Sequence, residues 1–595
     1  MTDVRRPPKG LTAGAGAASI TGMAAIRAYV NSDHVFIAWK LDAPIPGCRG
    51  FALKRRLSSS GDVTVLDTWV GFAGDTAPSG TKQPSTDWPI QRFMWSDYDP
   101  PRDEVSYQAV PLTGDKDHLT EDAANATGWS DPVTVGPDVG DGISAFFNRG
   151  VVATQWLSRE LRARGGPARP ALTQAISTPG DRIRNFLGGS VLWQLPRLLG
   201  DSLASGGEIH AALFELDDPQ LIETLQAFGP RAHVVLANGA DQPDENSAAR
   251  TALRGKNVDV HDRLVSSSHF AHNKFLVVSD QTGPVAVWTG STNWTMTGLC
   301  TQSNNAILVE SAEIAGWYRS EWDLLVSAGN TYPDGLFTGN DVTRQTTLAA
   351  PAVAAPPAAA GPAAAQVWFA PVRGTIDLES ARKRINAATQ GILFLMFNPG
   401  PVGTLLNDIV ERTSSASPTF DPDLHIHGVV NQDPGTTKHP VIGLLHRGEL
   451  TQADIDVVLP AAVDSDFAFW LKELSYSLVM VHSKTIVVDP FGPDPCVMTG
   501  SHNMGPKASG KNDDNLLIID GQPKLAEAYA VYIMGVYNQY RWRYYQREAE
   551  KGQLPATAAT GDAAPTWAGL EDDDTWQGKY FTAGAAQREI AFWVP

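Results

Sequence analysis

The sequence predicts a multidomain chain in which an N-terminal antiparallel β-sandwich precedes two pseudo-symmetric α/β domains. Three observations carry this reading. Short alternating apolar runs punctuated by Gly, Pro and Asp fill residues 23–137, as in strands buried on one face. Beyond residue 140, apolar strand-like runs alternate with segments of helical periodicity, which is α/β order. That order then occurs a second time, and its polar residues recur at a constant shift of 210 residues. A chain of 595 residues is also too long for one core, at roughly 150 residues per domain.

Residues 1–22 are rich in Gly, Ala and Pro and are expected to be flexible. The runs HVFIAWKL, GFALKRRL, DVTVLDTWV, RFMWSDY and VSYQAVPL follow as strands. With Trp39 early, Tyr107 late and a closing GWSDPVTV, this segment resembles a fibronectin type III domain with a long central insertion. Such modules bind or space, and core packing accounts for Trp39 and Tyr107. The first α/β domain spans 140–346. It opens with FFNRGVVATQWLSREL, whose apolar spacing predicts a helix, and closes with the amphipathic EIAGWYRSEWDLLVSAG. Residues 347–365 read as an Ala/Pro linker, too broken by proline for a long helix. The second α/β domain spans 366–546. The tail, 547–595, carries Trp567, Trp576, Tyr580, Phe581 and Trp593 and is expected to dock in part on a domain.

The net charge of −18 argues against a general nucleic-acid binder, whose surface must neutralise phosphates. The three cysteines, Cys48, Cys300 and Cys496, imply neither a disulfide framework nor a zinc cluster. No secretory leader is seen and no run reaches the roughly 18 apolar residues of a membrane span. The chain is expected to be cytoplasmic, or exported by a non-classical route.

The chemistry lies in the repeat. His272, Lys274, Gly290, Ser291, Asn293 and Asn305 recur as His482, Lys484, Gly500, Ser501, Asn503 and Asn515 without a gap. Residues two apart on a strand share a face, so each His–Lys pair points one way and the intervening Asn273 or Ser483 the other. Two converging faces would gather two imidazoles, two ammoniums, two hydroxyls and two amides, a set suited to a phosphodiester.

The motif H-x-K-x4-D followed by G-S-x-N resembles that of the phospholipase D superfamily. The second copy, His482 to Asp489, is complete; the first has Ser279 in place of the aspartate, with Asp280 one residue late. The resemblance implies that one histidine attacks phosphorus to give a phosphohistidine and the other serves as general acid and base. Lys274, Lys484, Asn293 and Asn503 would hold the non-bridging oxygens, and Ser291, Ser501 and Asp489 would complete the catalytic set. No metal and no cofactor is required, and no acidic metal cluster is visible. Family members also carry a carboxylate downstream of GSxN that orients an imidazole; eleven residues on, the second copy has Asp514 and the first Asn304. If each serves the histidine of its own half, Asp514 makes His482 the acid and Asn304 leaves His272 a neutral nucleophile. His425 and His427 read as structural, while His269 and His502 are placed near enough to line the pocket. The expected substrate is a phospholipid head-group phosphodiester, met by peripheral membrane contact. An endonuclease of the same superfamily and a degenerate scaffold are the alternatives. A single chain suffices to form the site.

Overall fold

The computed structural model describes residues 24–72, 75, 81–150, 154–165, 168–239, 244–348, 362–431, 455–458, 480–550 and 569–595. The N-terminal residues expected to be flexible, most of the linker and Trp567 lie outside the described residues.

The N-terminal region folds as two small sheets beside a two-stranded ribbon that pairs Asp67–Thr68 with Gln83–Pro84. One pairs β1 (Ala25–Val30), β2 (Val35–Lys40) and β5 (Met94–Asp97); the other pairs β3 (Gly50–Leu57), β4 (Val63–Val65), β6 (Val105–Asp115) and β7 (His118–Glu121). Their apolar faces meet over Ile37, Trp39, Phe51, Leu53 and Tyr107, all buried. The Tyr107 hydroxyl donates to Asp97 Oδ2 (2.9 Å), which Arg55 also holds (2.8 Å), so the polar end of this core residue is satisfied. The C-terminal residues complete the same core. Trp576 packs on Phe51 and donates its indole N–H to Cys48 O (3.0 Å). Trp593, in a helix over Ala585–Trp593, packs against Phe36 and Phe491 and so joins the sandwich to the second α/β half.

The first α/β half contains β8 (Asp138–Gly140), β9 (Ile143–Phe147), β10 (Glu208–Leu213), β11 (Ala232–Ala237), β12 (Asp259–Arg263), β13 (Lys274–Asp280), β14 (Gly283–Gly290) and β15 (Asn305–Val309). The second contains β16 (Arg344–Thr347), β17 (Ala364–Ala370), β18 (Gly391–Met396), β19 (His425–Val430), β20 (Ile455–Val458), β21 (Lys484–Val488), β22 (Cys496–Gly500) and β23 (Asp514–Asp520). The spatial orders are β8-β9-β15-β14-β13-β10-β11-β12 and β16-β17-β23-β22-β21-β18-β19-β20, the same order with every label advanced by eight. In both, the strand with the His–Lys pair runs antiparallel to the strand that starts the βαβ units.

Each sheet buries both faces. The outer faces pack on their own helices. The inner faces share one core, which also takes in α1 (Ala312–Ala328) and α2 (Pro523–Glu550), the helices that follow the last strand of each half. The central strands are therefore largely apolar, as expected for strands covered on both sides, while the edge strands β12 and β16 are polar and partly exposed. Two sequence expectations need correction. Phe146 and Phe147 lie in a strand, β9, and the helix begins later, at Thr154, because the preceding residues pair with β15. The second sheet begins at Arg344, before the linker: β16 pairs with β17 across the Ala/Pro segment, so both ends of that segment are strand.

Candidate active site

His272 and His482 lie two residues before Lys274 and Lys484, the first residues of β13 and β21. Pairing to β10 and β18 sets each lysine opposite the last residue of its neighbour, Leu213 or Met396. The chain then continues into Phe214 and Phe397, which make matched cages. His272 meets the Phe214 ring at 4.8 Å and His482 meets Phe397 at 4.8 Å. Each ammonium lies 4.7 Å from the centre of the same ring. Lys274 Nζ donates to His272 O and Lys484 Nζ to His482 O, both at 2.6 Å.

The imidazoles are oriented across the halves, which overturns the own-half expectation. His272 Nδ1 lies 2.8 Å from Asp514 Oδ1, and His482 Nδ1 lies 2.9 Å from Asn304 Oδ1 and 3.0 Å from Ser291 O. The backbone explains the crossing. The His272 N–H donates to Asp513 O (2.9 Å) and the His482 N–H to Ser303 O (3.0 Å), so each histidine is fastened to the residue just before the other half's partner. Ser501 Oγ donates to Asp514 (2.7 Å) and Ser291 Oγ to Asn304 Oδ1 (2.8 Å), fixing both partners. Asn304 Nδ2 donates to Gly298 O (2.8 Å), so its carbonyl oxygen faces His482. Both Nδ1 atoms meet acceptors and carry the proton, which leaves both Nε2 lone pairs free.

Gly290 and Gly500 make the turn from strand into the site at φ +141° and +140°. A Cβ there would meet the backbone oxygen of Asn305 at 2.4 Å or of Asn515 at 2.2 Å, so each position requires glycine. Asn273 and Ser483 point away from the lysines, into the layer between the halves. Asn273 Oδ1 accepts from Asn515 (2.9 Å), and Ser483 Oγ reaches Ser303 O at 3.1 Å.

Burial governs the electrostatics. Burial, then Lys274, pulls the His272 pKa down to about 4 against the opposing Asp514. Burial and both lysines hold His482 well below its usual value. Burial brings Lys274 down to about 7, and burial with Lys274 holds Lys484 well below its usual value. Burial works to raise the Asp514 pKa, but His272, His502 and Lys274 together outweigh it and lower it below its usual value. The resting imidazoles are neutral. An entering phosphodiester anion would favour the charged form of every cation around it.

Asp489 does not reach the site. It sits at the opposite end of β21 from Lys484, roughly 16 Å away at ~3.3 Å per residue. Its carboxylate accepts the N–H groups of Thr389, Gln390 and Gly391 at 2.7–3.1 Å, tying down the entry to β18. Ser279 lies at the same far end of β13, opposite Glu208, and exposed Asp280 caps a turn through Thr282. His502 also turns inward. It pairs with Asp377 (2.9 Å), which outweighs burial and raises its pKa. His269 stacks on Tyr332 (4.3 Å) at the surface. His425 stacks on Phe592 and His427 on Tyr537.

The sequence reading missed Phe214, Phe397 and Glu215. Asn293 Nδ2 donates to Glu215 Oε2 (2.5 Å). Burial pushes the Glu215 carboxyl up to about 7, with Lys274 opposing and Glu245 and Asp217 reinforcing. Asn398 takes the corresponding place after Phe397. The signal was available: a carboxylate at the C-terminal end of a strand in an α/β sheet is a common site position.

Residues 208–325 match the family model described as cardiolipin synthase, PLD-like domain. That segment is similar to phospholipase D-like domains. It contains His272, Lys274, Ser291, Asn293 and Asn304. The chain is 24% identical over 191 residues to the mitochondrial cardiolipin hydrolase of Danio rerio, covering 30% of this chain and 80% of that one. Among solved structures, it resembles phosphatidylserine synthase of Haemophilus influenzae Rd KW20 at TM-score 0.38 and 11% identity, over 59% of this chain and 84% of that one. It also resembles polyphosphate kinase of Porphyromonas gingivalis at TM-score 0.35 and 12% identity, over 55% of this chain and 45% of that one. The phospholipase D-like match and the curated relative both support the phospholipase D superfamily for this α/β region. Among the described residues, no helix is long and apolar enough to cross a membrane.

Proposed function

We propose that the protein is a phosphodiesterase of phospholipase D type, hydrolysing a phospholipid head-group phosphodiester through a phosphohistidine. The crossed orientation of the two histidines carries this reading. His272 attacks through Nε2 while its Nδ1–H donates to Asp514. The N–P bond formed makes the ring cationic, and the buried carboxylate stabilises that cation. Asp514 thus supports His272 as nucleophile, for a reason opposite to the one expected from an own-half pairing. His482, held by the neutral amide of Asn304, takes up a proton as the anion enters and gives it to the leaving oxygen. It then accepts one from the water that cleaves the phosphoenzyme. Lys274, Lys484, Asn293 and Asn503 bind the non-bridging oxygens. No step passes through a metal, since the imidazoles provide the nucleophile and the acid, and the lysines the positive charge.

The equal sheet orders and reciprocal contacts support reading the halves as an internal repeat about a pseudo-twofold, with two HKD-type motif copies in one chain. The sandwich is proposed as a fibronectin type III-like module that braces the second half through the tail. The acidic net charge favours lipid over nucleic acid as substrate.

The test offers purified protein phosphatidylcholine, cardiolipin and single- and double-stranded DNA, with His272→Ala and His482→Ala as controls. Lipid hydrolysis lost in both variants supports the proposal. Cleavage of DNA alone contradicts the lipid substrate, and no cleavage of any substrate contradicts the enzymatic reading.

A further inference from the structure

At the far end of the first sheet, on its inner face, β10, β11 and β12 bring five metal-capable side chains into one row. Alternation along each strand turns Glu208 and His210, His233, and Asp259 and His261 to the same side. Register places His210 beside His233 and His233 beside Asp259. We infer that Glu208, His210 and His233 form a binding site for a divalent transition metal of the zinc class, at the opposite end of the sheet from the paired histidines.

One ligand atom from each of these three residues lies within 4.8 Å of the other two. Glu208 Oε1 is 3.5 Å from His210 Nε2 and 3.7 Å from His233 Nε2. These separations are long for hydrogen bonds but close to the ligand–ligand edge of a tetrahedral zinc, about 3.3 Å for bonds of ~2.05 Å. His233 Nδ1 lies 2.8 Å from Asp259 Oδ2, so its proton is held there and the Nε2 lone pair faces Glu208. A carboxylate behind a histidine in this way orients and strengthens a metal-binding imidazole. His261 Nε2 meets the same oxygen at 3.1 Å and fixes it from the other side.

The second observation is His210 itself. Its side chain is only 3% exposed, and Nδ1 has no hydrogen-bond partner. The His210 and His233 rings are stacked 4.5 Å apart at 8°. An ion shared by both Nε2 atoms therefore requires the two rings to tilt toward each other. Trp322 on α1 closes the buried side edge-on, and Arg319 lies over Trp322 and is tied to Asp323. Glu208 is about half exposed, which leaves the remaining coordination positions to water. Two histidines and one glutamate with an open position are a zinc donor set.

The sequence reading called for no metal, because these ligands come from separate strands with no clustered spacing. The second half keeps His427 in the place of His233 but has Gly391 and Leu393 in the places of Glu208 and His210.

The test uses the untagged full chain, stripped with EDTA and dialysed against Zn2+, with bound metal measured by mass spectrometry. One zinc per chain is expected. Uptake should fall at least tenfold in Glu208→Gln and His233→Gln and about 10- to 100-fold in Asp259→Asn, and should persist in His272→Ala. Glu208→Gln alters a half-exposed side chain, and circular dichroism confirms that each variant is folded. Absence of uptake by the wild type, uptake unchanged in Glu208→Gln and His233→Gln, or uptake lost only in His272→Ala would each overturn the site.

Discussion

At the ends of their sheets that carry the paired histidines, the two α/β halves hold the same parts in the same places. Phe214 and Phe397 cage the His–Lys pairs at equal distances, and Gly290 and Gly500 turn at nearly equal φ. At the opposite ends the halves part. The second has Asp489 closing the entry to β18, with Gly391 and Leu393 on the adjoining strand. The first has Ser279, with Glu208 and His210 beside it and the histidine row of β10–β12. Reciprocity explains the contrast. Each half's partner residue holds the other half's histidine, so a change at that end disturbs both halves. The far ends hold no residue of the other half's site, the second packing instead on the C-terminal tail through Phe491 and His425, and are free to take different tasks. The motif aspartate is therefore a fastening of the sheet, and its replacement by Ser279 leaves the first histidine's surroundings intact.

The largest expected effect tests whether the matched ends form one site. His272→Ala and His482→Ala should each lower kcat by about 10³-fold or more, and the double variant little further, since the residues act in one sequence. A half that retains activity alone would break the comparison. Next come the unlike partners. Asp514→Asn should lower kcat by roughly 10²-fold by removing the charge behind His272. Asn304→Asp makes the halves alike; it should raise the His482 pKa and shift the pH–rate profile upward, with kcat within about tenfold.

Glu215 gives a smaller, pH-dependent effect. Its carboxyl, pushed up to about 7, is neutral below that pH and negative above it, where it opposes an anionic substrate. Glu215→Gln should therefore match the wild type at pH 6 and show a lower KM at pH 8.5. An equal change at both pH values would rule out its charge as the cause. The smallest effect on activity is at the far end. Asp489→Asn should leave kcat unchanged yet cost about 1–3 kcal/mol of local stability through the N–H groups it satisfies, seen as a lower thermal midpoint.

Much of the site was legible because alternation and constant spacing are properties of the chain. The shift of 210 residues put both His–Lys pairs on matched strands, and both Gly-Ser pairs at matched turns. The crossing of Asp514 and Asn304 was not legible, since spacing does not say which half a side chain faces. The phenylalanine cages were missed because Phe214 and Phe397 are 183 residues apart, not 210: the segments between cage and histidine differ in length. Phe146 and Phe147 were assigned to a helix because apolar spacing in a short run does not separate a covered strand from a helix. Glu208, His210 and His233 are joined only by parallel pairing between strands, a contact invisible along the chain.

The central claim is that both halves build one site in which His272 is the nucleophile. Its most direct measurement is to quench the enzyme during turnover of a phospholipid labelled at phosphorus, digest it under alkaline conditions that preserve phosphohistidine, and locate the label. The account predicts label on His272, absent in His272→Ala and accumulating in His482→Ala if any forms. Label on His482, or turnover with no covalent intermediate, would contradict it.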